Sequence, residues 1–235
     1  MDAKKRGDLF EVRTRKEGRT QVRKARAVTL ATGYFNNPIK LDVPGIGLPW
    51  VREYYTDAYR HFGERVVIVG AGNSGCETAL ELWRNRVKVS VVHRGAEPKH
   101  SVKYWVKPDF MNRVQEGSIE AFFGHVPVAF EDNPRGVRIR HVFSGVERFV
   151  PCDAAYKLIG FVTDVELERR CGVEVNPATL VPAFDKATCE TNVPGLYVAG
   201  TLQAGRDTHA IFIENSRFDA PKIVKHLLLR LKKAS

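Results

Sequence analysis

A glycine-rich run that directly follows an apolar segment has the spacing needed to bind phosphate groups. Residues 66–69 are all valine or isoleucine, and Gly70, Gly72 and Gly75 follow in a GxGxxG pattern. The first glycine permits a tight turn, the second lets the backbone approach a pyrophosphate, and the third allows close packing of helix on strand. Free N–H groups at the start of that helix attract phosphate. The predicted contacts to a dinucleotide come from Gly70, Gly72, Asn73, Ser74 and Gly75.

The residues at the end of the next apolar run indicate which dinucleotide is favoured. Sites for NAD usually have an acidic residue about 20 residues after the glycines, where it binds the ribose hydroxyls. This chain has His93 and Arg94 there. A guanidinium can hold a 2′-phosphate through charge-assisted hydrogen bonds, so the sequence favours NADPH over NADH. An exposed loop cation without a ligand is the alternative for Arg94.

The elements on either side of this unit suggest that one domain is inserted into another. Alternating runs at 9–14 and 21–26 predict an antiparallel hairpin, and the apolar run Ala27–Ala31 predicts a strand buried on both faces. Another buried strand, at 195–199, follows the unit and also ends in glycine. An inserted domain would give this layout.

Apolar periodicity and turn-forming residues predict the remaining elements. Helices show the 3.6-residue period, strands show alternation, and stretches rich in Pro and Gly are interpreted as connectors or turns. The predicted elements of the central part are a connector at 34–63, a helix at 73–83, and strands at 87–92, 119–123, 136–142, 147–152 and 154–159. The middle strands of the last four form an antiparallel meander around a Ser144–Gly145 turn. After them, a helix begins near Asp207 or Thr208, and a last helix has Pro221 in its first turn.

Several of these motifs resemble a known family. The glycine run followed by Val91–Arg94 resembles the NADPH site of thioredoxin-reductase-like flavoproteins, and Ala31–Gly33 resembles the strand end that those proteins place beside FAD. The run Val193–Gly200 resembles their second FAD motif. Similarity to the YpdA-type bacillithiol disulfide reductases is carried by the runs Ser101–Asp109, Ala204–Asp207 and Ile211–Asn215.

The resemblance implies that the chain is part of an NADPH-dependent flavoprotein oxidoreductase. It implies NADPH and FAD as cofactors, hydride transfer from NADPH to the flavin N5, and electron transfer onward to a low-molecular-weight disulfide or another acceptor. No acid or base can be identified as catalytic. The further cofactor-binding residues that it implies are His93 and Arg94 on the NADPH side, and Ala31, Thr32, Gly33, Gly200, Thr201 and Ala210 on the flavin side.

The expected fold class is α/β. A Rossmann-type NAD(P)H-binding domain with an antiparallel meander is inserted into an incomplete FAD-type Rossmann domain. The expected domains are residues 1–61 as a partial FAD-type domain with its connector, 62–165 as the NAD(P)H-binding domain, and 166–235 as the C-terminal part of the FAD-type domain. Exposed strand edges on such a partial domain favour self-association, so we expect a homo-oligomer.

The chain departs from the family pattern at three points. The FAD-binding glycine fingerprint is absent, Thr201 stands where many relatives have an aspartate, and the redox CxxC of thioredoxin reductases is missing. Thiol–disulfide exchange by that route needs an attacking thiolate and a resolving partner. We therefore expect an incomplete FAD site in this chain. A truncation, a misplaced start and a natural short form are all compatible with the sequence.

Two other functions are compatible with these motifs. Flavin-dependent monooxygenases share the inserted layout and the Ala-Thr-Gly strand end, and they would consume oxygen together with NADPH. The second alternative is an incomplete nucleotide-binding module that has no activity alone. The missing FAD fingerprint supports it.

The cysteines and one histidine have two interpretations each. No CxxC spacing or zinc-ligand pattern joins Cys76, Cys152, Cys171 and Cys189, so no metal site is expected. Cys76 follows the start of a helix, where the dipole lowers a thiol pKa, but it also lies on the face expected to pack inward. His209 could donate to a flavin or simply occupy a loop.

Charge and hydropathy limit the partners. The net charge is +10, but the basic residues are scattered, which favours a solvated surface or attraction to anionic ligands over a nucleic-acid site. No apolar run approaches the roughly 20 residues that span a bilayer, and no secretory signal is visible, so we expect a cytoplasmic protein. The basic C-terminal helix could lie on an anionic membrane or pack on its own domain.

Overall fold

The computed structural model describes residues 2–208 and 210–233. Its contacts divide the chain into two compact units. Residues 38–160 form the central unit, and the segments before residue 38 and after residue 160 form the flanking unit. These divisions fall at different residues from the expected domain boundaries at 61/62 and 165/166. The roles assigned to the expected domains stay predictions.

The described residues contain thirteen strands, five α-helices and two 3₁₀ turns. The strands are β1 (Asp2–Arg6), β2 (Leu9–Lys16), β3 (Arg19–Ala25), β4 (Val28–Leu30), β5 (Val51–Arg52), β6 (Arg65–Val69), β7 (Lys88–His93), β8 (Ile119–Phe123), β9 (His125–Asp132), β10 (Arg135–His141), β11 (Glu147–Pro151), β12 (Ala154–Lys157) and β13 (Leu196–Val198). The helices are α1 (Asn73–Arg84), α2 (Lys107–Gln115), α3 (Glu166–Arg170), α4 (Ile213–Ser216) and α5 (Asp219–Lys233), and the 3₁₀ turns are Tyr59–His61 and Gly200–Ala204.

The central unit is built on a five-stranded parallel sheet in the order β5-β12-β6-β7-β8. β6 is a continuous apolar run because both of its faces are covered. Val66 and Ile68 pack into one core cluster, and Val67 and Val69 pack into the other. Since β6 and β7 are parallel, the glycine loop after β6 and Arg94 after β7 emerge at the same edge of the sheet.

Two layers cover this sheet. On one face lie α1 and α2, through residues such as Leu80 and Phe110. On the other lies the antiparallel meander β9–β10–β11, through Val137 and Ile139. The two predicted strands around the Ser144–Gly145 turn are confirmed as β10 and β11, and β9 is a third strand of the meander that the sequence patterns did not predict. The expected α/β fold class is therefore present, with a parallel sheet and antiparallel sheets.

The prediction of a connector at 34–63 is wrong over much of that segment. Leu41, Val43, Ile46 and Leu48 pack against the second core cluster of the central unit. Proline and glycine bend this segment, but its aliphatic side chains are partly buried. It is part of the core and not a free linker.

The flanking unit contains two small sheets. β1, β2 and β3 are antiparallel neighbours, so the predicted hairpin is β2–β3 and β1 extends it. β4 and β13 form a parallel pair. The prediction that 27–31 is covered on both faces is wrong, because Thr29 is exposed. Among the described residues, β13 is the one strand that pairs with β4.

The prediction of a helix that begins near Asp207 or Thr208 is also wrong. A 3₁₀ turn precedes that point, and the next α-helix is α4. The start of α4 is fixed locally, since the N–H of Phe212 donates to Oδ1 of Asn215 at 2.9 Å. The side chain of Asn215 thus caps the helix several residues later than the sequence pattern suggested.

The last helix, α5, is confirmed, with Pro221 in its first turn. Ile223 is buried against Tyr197, which packs the helix on its own unit. Val224 and Leu228 of the same helix are exposed. Across the described part of the chain, no helix has both the length and the apolar character needed to cross a bilayer.

Candidate functional site

The glycine loop between β6 and α1 contains two glycines that the fold itself requires. Gly70 has a φ of +115°, and a Cβ there would lie 2.3 Å from the carbonyl oxygen of Leu158. A Cβ at Gly75 would lie 2.0 Å from the carbonyl oxygen of Gly70. Both distances are far below van der Waals contact, so these glycines allow strand, loop and helix to meet.

Gly72 differs from the other two glycines. Its φ is −91°, which any residue can adopt, and a Cβ there would have Lys99 Cδ as its nearest neighbour at 3.8 Å. The protein therefore leaves this space open. α1 has no side-chain cap, and the first N–H groups of a helix have no partner within it. Open space in front of uncapped N–H groups fits a pyrophosphate.

His93 supports the glycine loop from beneath. Its Nδ1 accepts a hydrogen bond from the N–H of Ala71 at 3.3 Å, and the ring is buried. Burial, followed by the charges of Lys99 and Arg94, lowers the pKa of His93. A neutral ring is the form that can accept this bond. His93 would therefore act on a bound nucleotide through the loop that it holds.

Two cations lie near this edge of the sheet. Arg94 is exposed, and its guanidinium has no ion pair with any described residue. Sequence reasoning missed Lys99, whose N–H donates to the carbonyl of Ala71 at 3.0 Å. Its aliphatic stem runs beside Gly72. No motif marks Lys99, because its position depends on how the loop after β7 folds back.

The side chain of Asn73 is bonded to the loop after β7 at both of its polar atoms. Nδ2 donates to the carbonyl of Ser101 at 3.1 Å, and Oδ1 accepts from the N–H of Lys103 at 2.9 Å. The backbone N–H of Asn73, at the first position of α1, stays available to a ligand. The residues predicted from the GxGxxG pattern, including Ser74, are thus brought together at one helix start, although they contribute in different ways.

The flavin-side residues meet at a second edge, within the flanking unit. β4 and β13 are parallel, so Ala31 and Gly200 both follow strand ends at this edge. A cavity of about 480 Å³ is lined by Ala31, Gly33, Gly200 and Thr201, among others. A Cβ on Gly33 would approach Thr201 Oγ1 at 3.3 Å. Small residues on both strand ends leave room for a flat ligand.

Asp219 is a residue of this cavity that sequence reasoning missed. Its Oδ2 accepts from the N–H of Gly200 at 2.9 Å and from Nε2 of Gln203 at 3.1 Å. The carboxylate is buried at the start of α5, and it fixes the backbone after β13. The nearest signal in the sequence is the acidic residue in the first turn of a helix.

Two of the predicted flavin-side residues are placed differently. Thr32 and Ala210 are exposed and are not among the described residues that line the cavity. The carbonyl of Ala210 accepts from Asn215 Nδ2 at 2.9 Å, which ties its loop to α4. His209 lies outside the described residues.

All four cysteines are buried and free. Burial raises the pKa of the Cys76 and Cys152 thiols to about 12, and it also raises the pKa of Cys171 and Cys189. Thiols in this state are poor nucleophiles, which favours the structural interpretation of Cys76. Among the described residues, no group of three or more His, Cys, Asp or Glu side chains is arranged to hold a metal ion.

Comparison with known sequences finds a matching family model and related proteins. The chain matches the model described as pyridine nucleotide-disulphide oxidoreductase over residues 2–200. It is 33% identical over 229 residues to bacilliredoxin reductase Bdr of Bacillus subtilis (strain 168). That alignment covers 97% of this chain and 68% of the relative.

Comparison with solved structures also finds disulfide reductases. The structure is similar to the bacillithiol disulfide reductase Bdr (YpdA) from Bacillus cereus, with a TM-score of 0.92 and 29% identity over 98% of this chain and 70% of that one. The thioredoxin reductase of T. acidophilum has a TM-score of 0.76 at 22% identity, over 100% of this chain and 73% of that one. The latter likeness concerns the fold alone.

Proposed function

Because the chain belongs to the pyridine nucleotide-disulphide oxidoreductase family, we propose that it uses NADPH and a flavin to reduce a low-molecular-weight disulfide. The family is one of flavoprotein oxidoreductases that use a pyridine nucleotide. To this family assignment we add three proposals: the preference for NADPH, the residues that bind each cofactor, and the nature of the disulfide.

The observation that carries the nucleotide assignment is the open space at Gly72. Gly70 and Gly75 are required by contacts inside the protein, but Gly72 is not. A glycine that the fold does not need, placed before an uncapped helix start, is explained by a ligand that approaches the backbone. We assign the pyrophosphate of NADPH to this place.

The preference for NADPH rests on Arg94 and Lys99. Arg94 follows β7 at the position where an acidic residue would favour NAD. The stem of Lys99 lies beside Gly72, and its ammonium has no ion pair with a described residue. Two cations without carboxylate partners suit a 2′-phosphate, because charge-assisted hydrogen bonds are the strong ones.

The flavin assignment rests on the cavity at the ends of β4 and β13. Small side chains at Ala31, Gly33 and Gly200 leave its floor open, and Asp219 fixes the backbone N–H of Gly200. These residues fit one side of a flavin nucleotide. When bound, a flavin supplies the hydride acceptor and the electron store for disulfide reduction.

A small disulfide is the acceptor that the relatives and the cysteines favour. The Bacillus cereus neighbour is called a bacillithiol disulfide reductase. In this chain the four cysteines are buried and free, so they offer no dithiol relay of the thioredoxin-reductase kind. None of the three proteins compared above is a monooxygenase, so that alternative has no support of its own.

The test joins this chain to the part of the Bacillus subtilis relative that it does not match, and measures NADPH oxidation without oxygen in the presence of FAD. We expect consumption that depends on an added small disulfide, with one NADPH and one proton used for each disulfide reduced to two thiols. Consumption that requires oxygen and yields an oxygenated product would replace this proposal with the monooxygenase alternative.

A further inference from the structure

Two large aromatic side chains are exposed side by side in the loop after β7. Tyr104 is 83% exposed and Trp105 is 61% exposed. Their ring centroids are 4.8 Å apart and the rings are perpendicular. Both belong to the run 101–109, none of whose side chains is among the proposed cofactor contacts. Trp is highly buried on average, and adjacent exposed rings are a feature of surfaces that meet a ligand.

The loop that carries the rings, Lys99–Val106, is held against the glycine loop. The N–H of Lys99 donates to Ala71, and Asn73 bonds both Ser101 and Lys103. We call this segment the aromatic loop. Val102 and Val106 are buried in the core under α1. The rings are therefore presented by a loop that is anchored at both the glycine loop and the core.

Lys103 adds a further constraint on the indole. Its Nζ lies 2.8 Å from Oε1 of Glu77, one turn after Asn73 on α1. The same Nζ lies 5.7 Å from the ring centroid of Trp105, in a cation–π contact. The aromatic loop thus contacts α1 at its first residue and again one turn later.

We propose that Tyr104 and Trp105 belong to the dinucleotide site, and that one planar ring of the dinucleotide stacks against them. The inference rests on the proposed function, since it needs the pyrophosphate at the start of α1. A dinucleotide bound there carries a planar ring on each side of its phosphates. Stacking against aromatic side chains is favourable beyond simple burial. Asn73 is then a positioning residue, because it fixes the aromatic loop to the place where the phosphates bind.

The first experiment measures tryptophan emission during titration with NADP⁺. The oxidised nucleotide is used because, unlike NADPH, it does not absorb tryptophan emission and so does not quench distant residues. The chain has three tryptophans, Trp50, Trp83 and Trp105. We expect a saturable change in the wild type that is largely lost in Trp105→Phe. Asn73→Ala should reduce the change, because the loop is no longer fixed to the helix start.

The second experiment measures the dissociation constant of NADP⁺ by calorimetry. We expect Trp105→Ala and Tyr104→Ala each to weaken binding by about two- to tenfold. Both side chains are exposed, so circular dichroism should show an unchanged fold. The matched control is Tyr59→Ala, which removes an equally exposed ring from the turn that precedes β6, and it should leave binding unchanged.

A third titration, with 2′-phospho-ADP-ribose, identifies the ring. If the variants also bind this fragment more weakly, the adenine stacks on the loop; if they bind it normally, the nicotinamide does. Either result supports the proposal. Normal NADP⁺ affinity in both variants, with Trp105 emission unchanged, would overturn the stacking and leave the dinucleotide site standing. A wild-type chain that binds no NADP⁺ would overturn both.

Discussion

The three glycines of one short loop are there for different physical reasons. At Gly70 and Gly75 a side chain would collide with backbone oxygens of the protein itself. At Gly72 a side chain would meet only the stem of Lys99, at van der Waals distance. Substitutions at these positions should therefore separate stability from binding.

Gly72→Val should abolish dinucleotide binding and leave the fold largely intact. The added side chain fills the space in which a pyrophosphate approaches the backbone, and its Cβ would have only Lys99 Cδ nearby, at 3.8 Å. Calorimetry with NADPH and thermal unfolding measure the two properties. As a control, Gly75→Val should destabilise the chain, because its Cβ would lie 2.0 Å from an oxygen. Retained affinity in a folded Gly72→Val variant would show that this placement of the pyrophosphate is wrong.

Arg94→Ala should weaken NADPH binding by about 1.5–3 kcal/mol, the range for a hydrogen bond to a charged group. Binding of NADH should hardly change, because NADH lacks the 2′-phosphate. Calorimetry with both nucleotides measures the difference. Lys88→Ala is the matched control, since it removes a cation from the opposite end of β7. Equal losses for the two nucleotides would contradict the phosphate assignment.

At the scale of single elements, α3 buries the carboxyl group of Glu168. Both oxygens of Glu168 are buried without a hydrogen bond to any described residue, and burial raises the pKa of this carboxyl. The folded state therefore holds the proton more tightly than the unfolded state does. Stability should fall as the pH rises from the ordinary carboxyl range through the raised pKa.

Glu168→Gln should remove this part of the pH dependence. At neutral pH the variant should be more stable than the wild type by about 1 kcal/mol, since no charge is buried without a partner. Urea unfolding at mildly acidic and at neutral pH measures the effect. Glu166→Gln, on the same helix but exposed, is the control. If wild type and Glu168→Gln lose stability in parallel as the pH rises, the carboxyl is not the cause.

The elements that sequence patterns predicted are those whose pattern is local. The strand and helix on either side of the glycine loop follow from a buried apolar run and a 3.6-residue period. β9 escaped prediction because Pro127 interrupts it, and the structure accommodates this proline opposite Ile139, beside a shift in register. β1 is almost wholly charged and is a strand because it pairs with β2.

The same distinction applies to the site. The glycine spacing and Arg94 are visible in the sequence because neighbouring positions carry them. The positions of Lys99 and Asp219 depend on contacts between residues that are distant in the chain, and so do the hydrogen bonds of Asn73. Sequence patterns therefore locate the helix start and the strand ends, but they do not show which side chains support them.

At the scale of the whole molecule, the flanking unit has an open strand edge. Val28 donates to Gly195 and Leu30 accepts from Ala199, both toward β13. In a parallel pair alternate residues bond to one neighbour, so the N–H and C=O of Thr29 face the other edge. No strand of the described chain pairs there. Open edges of this kind promote pairing between copies.

We therefore expect the chain to self-associate as its concentration rises. Sedimentation velocity over a dilution series measures this. Thr29→Pro should weaken the association, since it removes an N–H that faces the open edge. Circular dichroism checks that the variant is folded. A wild-type chain that stays monomeric at all concentrations would contradict the prediction.

The flanking unit also determines how tightly the chain should bind FAD. A flavin pyrophosphate needs its own glycine loop and helix start. In the described residues of the flanking unit, no glycine-rich loop leads from a strand directly into a helix as long as α1. The ends of β4 and β13 offer one side of such a site. FAD should therefore bind weakly or not at all to these 235 residues, and disulfide reduction should need a further segment that supplies the missing loop.

Calorimetric titration of this chain with NADPH and, separately, with FAD tests the central claim most directly. The account predicts saturable binding of one NADPH per chain, tighter than binding of NADH, and weak or undetectable binding of FAD. Absence of NADPH binding by the folded chain would contradict the nucleotide site. Tight stoichiometric binding of FAD would show that another part of the chain, or a second copy, completes the flavin site.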